Sequence, residues 1–127
     1  MKVIGAFLDK LQATEIVLVA SKNEYGQHFA VALKMFANEN NKFRVARQYF
    51  IQDEVDDHNT IHHIGSAIET VLQKIKKDGF RIIFLATESS TAKQIIQMAG
   101  SEEFEMTGGS YIWMLSDSAM GALALTL

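Results

Sequence analysis

Apolar residues at Val3, Ile4, Phe7, Leu8 and Leu11 recur at helical spacing, so the chain is predicted to open with an amphipathic helix. Ile16 to Ala20 breaks that rhythm as an unbroken apolar run rich in β-branched residues. Such a run suits a strand buried on both faces, hence a central one. From Gly26 onward Phe29, Leu33, Phe36 and Ala37 return to helical spacing, and Asn38, Asn40 and Asn41 supply the stop. Phe43, Val45, Tyr49 and Ile51 then alternate with Arg44, Ala46, Gln48 and Phe50, the pattern of a partly wet strand near a sheet edge.

An acidic loop, Asp53, Glu54, Asp56 and Asp57, precedes the clearest helical stripe, which runs through Ile61, Ile64, Ile68, Val71, Leu72 and Ile75. Lys74, Lys76, Lys77 and then Gly79 close it, as the helix dipole and a left-handed cap favour. Ile82 to Ala86 is a second unbroken apolar run. The stretch Thr87-Glu88-Ser89-Ser90-Thr91 offers hydroxyl caps for a helix carrying Ala92, Ile95, Ile96 and Ala99. Tyr111 to Leu115 reads as a further strand, and Leu123, Leu125 and Leu127 as a last one. This alternation predicts one α/β domain, a three-layer sandwich with a mostly parallel, flavodoxin-like sheet of four or five strands. Ile16 to Ala20 and Ile82 to Ala86 are expected side by side at its centre. Only Ser116 to Gly121 separates the last two strands, too few residues for a parallel crossover, so the final strand is expected to run antiparallel or lie apart.

At 127 residues the chain suits a single domain. Its 12 Lys and Arg against 15 Asp and Glu give a net charge of −3, which argues against nucleic acid or an anionic membrane as partner. Cysteine is absent, which removes disulfides, thiolate metal sites and a cysteine nucleophile together. Charges break up Met1 to Leu11, unlike a signal peptide, and no apolar stretch approaches the roughly 20 residues needed to span a bilayer.

Ligands of open α/β sheets sit beyond the carboxyl ends of the strands, where strand order reverses. That rule selects the loops 21–26, 53–58, 87–91 and 116–118. Tyr25 offers an aromatic face and a hydroxyl to a ligand, with Gly26 allowing close backbone approach, or it is an exposed residue at a helix start. Ser89, Ser90 and Thr91 either bind an anion at a helix N-terminus or simply cap it. The acidic loop lacks the spacing of a calcium loop. His62 and His63 are adjacent on a helix and diverge by about 100°, so with His58 they do not make a zinc site. Neither a glycine-rich phosphate loop, a nucleophile elbow nor a spaced carboxylate pair appears, so neither catalysis nor a cofactor is expected.

Ile16 to Ser21 followed by Asn23-Glu24-Tyr25-Gly26, together with Arg81 to Ala86 followed by Glu88-Ser89-Ser90-Thr91-Ala92-Lys93, resembles the second lobe of the type I periplasmic-binding-protein superfamily. Met106-Thr107-Gly108-Gly109-Ser110-Tyr111-Ile112-Trp113-Met114-Leu115, followed by Gly121-Ala122-Leu123-Ala124-Leu125, is most similar to NMDA-type ionotropic glutamate receptor amino-terminal domains. The similarity spans nearly the whole chain. Ala13 departs from the family's usual aromatic, and the loop from Ser116 to Met120 is shorter than expected. The resemblance implies that 1–127 is one lobe of an extracellular clamshell domain that senses a ligand and passes the signal to an attached effector. It implies as partners the first lobe of the same domain, sister receptor subunits and a small-molecule ligand. By resemblance the ligand-facing residues are Tyr25, Glu88, Ser89 and Asp117. Two other expectations stay open: an assembly module without a small ligand, and a stand-alone flavodoxin-like binding protein.

Overall fold

The computed structural model describes residues 14–40, 43–52 and 58–116. The helix expected at Val3 to Leu11, the acidic loop and the strand expected at Leu123 to Leu127 lie outside them. Five consecutive apolar residues are all buried only when both faces of their strand are covered. In β1 (Glu15–Ser21), each residue from Ile16 to Ala20 is at most 1% exposed. β3 (Ile82–Ala86) pairs with β1 in parallel, Val17 opposite Ile83 and Ala20 opposite Ala86. The two apolar runs are therefore neighbours at the centre, as predicted. β2 (Arg44–Ile51) flanks β1 and β4 (Ile112–Leu115) flanks β3, so the order is β2-β1-β3-β4 and every pairing is parallel.

Three helices connect these strands: α1 (Glu24–Asn40), α2 (His58–Asp78) and α3 (Ser89–Ala99). The crossover from β1 to β2 moves one way across the sheet and the next two move the other way. Right-handed connections then put α1 on one face and α2 with α3 on the opposite face. Side chains alternate accordingly. Ile16, Leu18 and Ala20 pack with Ala30, Leu33 and Ala37 of α1. Val17 and Val19 join Ile68, Leu72 and Ile75 of α2 and Ile95 of α3. Gly79 ends α2 in the left-handed region at φ +81°, donating its N–H towards the Ile75 and Lys76 carbonyls.

The structure corrects three readings. Phe43, Val45, Tyr49 and Ile51 do not share one face. Ile16 pairs with Val45 but Val17 pairs with Arg47, so Ala46 is an extra residue bulged out of register. A one-residue slip reverses the facing of everything after it. Phe43 and Val45 pack towards α1, whereas Tyr49 and Ile51 pack towards α2 and α3, and Phe50 takes the α1 side. Second, α1 starts ahead of Gly26 because Asn23 caps it, the Gly26 N–H donating to Asn23 Oδ1 at 3.0 Å. Third, no hydroxyl caps α3. Glu88 is its N-cap, extended at φ −65° and ψ 157°, without a side-chain capping bond, and Thr87 Oγ1 instead donates to the Glu88 carbonyl.

Candidate functional site

Because β1 leads outward to β2 while β3 leads outward to β4, the chain leaves the carboxyl ends of these neighbours towards opposite faces of the sheet. The crevice between such diverging connections is the topological switch point of a doubly wound sheet. Both connections are short. Lys22 and Asn23 lead from β1 into α1, and Thr87 and Glu88 lead from β3 into α3. Tyr25 therefore sits in the first turn of α1, and Glu88 and Ser89 at the start of α3, all beyond adjacent strand ends. Two helix N-termini converge on this edge, where their partial positive charge and outward amides favour an anionic group.

Tyr25 is 39% exposed, yet its ring is not detached from the core. It lies 6.2 Å from the Phe29 ring, which stacks at 5.1 Å on the buried Phe84 of β3. An aromatic column thus runs from the crevice to the sheet and holds the tyrosine at the rim. Glu88 is exposed and Ser89 half-buried. Beneath them Ser21 and Thr87 are fully buried at the two strand ends. Ser116, at the end of β4, is buried too, and its N–H donates to the Leu85 carbonyl at 2.9 Å. Its neighbour Asp117 lies outside the described residues. Three of the four candidate residues are therefore gathered at one edge.

Among the described residues no group of three or more His, Asp or Glu is placed to hold a metal ion. Nor is any helix among them long and apolar enough to cross a membrane. Residues 1–126 match the receptor family ligand binding region. The chain belongs to this family. Comparison with curated proteins gives no match.

Within this receptor ligand-binding region the segment from Met106 to Leu115 serves the scaffold. Trp113 Nε1 donates to the Met106 carbonyl at 2.7 Å, which ties β4 to the loop that leads into it. The Arg81 guanidinium lies 4.5 Å from the Tyr111 ring centroid, closing the amino end of β3 against β4. These aromatics stand apart from the switch point. The strand-end rule selects the loops that Ser21 and Thr87 open, but not the full burial of these two residues. Each borders an apolar run, and a polar residue that closes such a run at a strand's carboxyl end is the signal that marks them.

Proposed function

We propose that this chain is the second lobe of a two-lobe, clamshell ligand-binding domain of an extracellular receptor, and that the β1–β3 carboxyl edge is one wall of its ligand cleft. The observation that carries this reading is the convergence of Tyr25, Glu88 and Ser89 beyond two adjacent strand ends at the switch point. The chemistry fits a small zwitterion of the amino-acid class. Amides and hydroxyls at the start of α3 suit its carboxylate, Glu88 its ammonium group, and Tyr25 an apolar side chain or an edge hydroxyl. Asp117 would complete the wall from β4. The similarity of Met106 to Leu115 supports an ionotropic glutamate receptor of the NMDA type as parent. The remaining partners would be the first lobe and the sister subunits.

Half a clamshell binds weakly, because one wet wall neither excludes water nor encloses the ligand. Saturation-transfer NMR with glycine, L-glutamate and L-aspartate should show binding to the isolated chain with Kd of about 1 mM or above. Tyr25→Ala and Ser89→Ala should each weaken it severalfold. Binding that is unchanged in both variants, or the absence of binding by all three amino acids, would contradict the assignment.

A further inference from the structure

α1 and the outer strand β2 enclose a trough on the sheet face that α1 covers. Two cavities follow one another along it. One, of about 510 Å³, lies towards the amino end of β2 beside Phe43 and Val45. The other, of about 550 Å³, lies towards the carboxyl end beside Lys22, Gln48 and Phe50. Lys34 of α1 lines both, so the two are successive parts of one groove. Val31, 57% exposed, gives its helical wall an apolar lip. Gln48 Oε1 is buried there without a hydrogen-bond partner among the described residues. β2 ends the sheet order, and no described strand pairs with its outer edge.

We propose that this groove takes an extended acidic peptide segment, which adds a strand to the outer edge of β2 and places alternate side chains in the two cavities. Alternate backbone groups of an edge strand face away from the sheet and present a template for one more strand. The side chains of an added strand fall on one face about every 6.6 Å, which suits two cavities in line better than one small ligand. Charge selects the segment: among the described residues Lys22 and Lys34 line the groove, a third cation, Arg44, is ion-paired with Glu15, and no described lining residue is acidic. The same feature disfavours a second copy of this chain, which would bring the same cationic groove rather than a complementary charge.

The test is fluorescence polarisation of the whole chain with three labelled peptides matching the eight residues of β2. One alternates valine with glutamate, the second replaces glutamate by lysine, and the third is the acidic peptide N-methylated at alternate amides. The acidic peptide should bind at least about tenfold more tightly than the other two, and Lys34→Glu should weaken it about tenfold, the effect of reversing one interfacial charge contact. Amide NMR shifts should centre on Val45 to Phe50. Equal affinity for all three peptides, no binding below about 1 mM, or a concentration-dependent dimer through this edge would overturn the proposal. So would full displacement of the acidic peptide by equimolar hexanoate, which would assign the groove to a small organic anion.

Discussion

Gly26 stands so close to the end of β1 that a Cβ at its position would meet the Ser21 carbonyl oxygen at 1.9 Å, with Ser21 C and N both at 2.7 Å. The first turn of α1 therefore rests directly on the strand backbone. The fit fixes where Tyr25 emerges relative to β1, and glycine is what permits it.

Gly26→Ala should destabilise the fold by about 3 kcal/mol, because the atoms it meets are backbone and cannot swing aside. Gly65→Ala is the internal control: it lies within α2 with nothing within 4 Å of its Cβ position. Helix propensity alone predicts a gain of about 0.5–1 kcal/mol there. Urea unfolding of both variants should show shifts of opposite sign. Equal shifts would mean that α1 does not press on β1 as described.

Deleting Ala46 should cost more than any single side-chain truncation in β2. Without the bulge, either Phe43 and Val45 lose α1 or Tyr49 and Ile51 lose the opposite core. Loss of dispersed amide NMR signals or of a cooperative unfolding transition is the expected readout. A deletion variant with native spectra and an unshifted midpoint would show that the register absorbs the change.

The same bulge marks where sequence legibility stops. Ile16 to Ala20 and Ile82 to Ala86 announce central strands because no wet position interrupts them, and Ile68, Leu72 and Ile75 announce the α2 stripe by spacing alone. A bulge leaves no such trace, since Ala46 is unremarkable as a residue and the slip exists only relative to β1. The start of α3 is a similar case. Its hydroxyls read as caps, but the Thr87 hydroxyl donates to the Glu88 carbonyl, and Glu88 takes the cap position without a side-chain capping bond. The loops that hold the candidate residues are legible because they follow the apolar runs, whereas the aromatic column beneath Tyr25 emerges only from the packing of α1 on β3.

Trp113→Phe should lower stability by about 1–3 kcal/mol. The ring largely survives, but the buried Met106 segment loses the donor to its carbonyl. The denaturation midpoint should fall with the slope unchanged. A shift below about 0.3 kcal/mol would show that water replaces the indole donor without cost.

The central claim, that the β1–β3 carboxyl edge is the ligand wall, is tested most directly by an amide NMR titration of the isolated chain with glycine and with L-glutamate. The expected result is a weak, saturable response, with Kd of about 1 mM or above, whose largest shifts cluster at Tyr25, Gly26, Glu88, Ser89 and the segment following Ser116. Shifts concentrated at the opposite edge, around Arg81 and Tyr111, or micromolar binding by this lobe alone, would contradict the account.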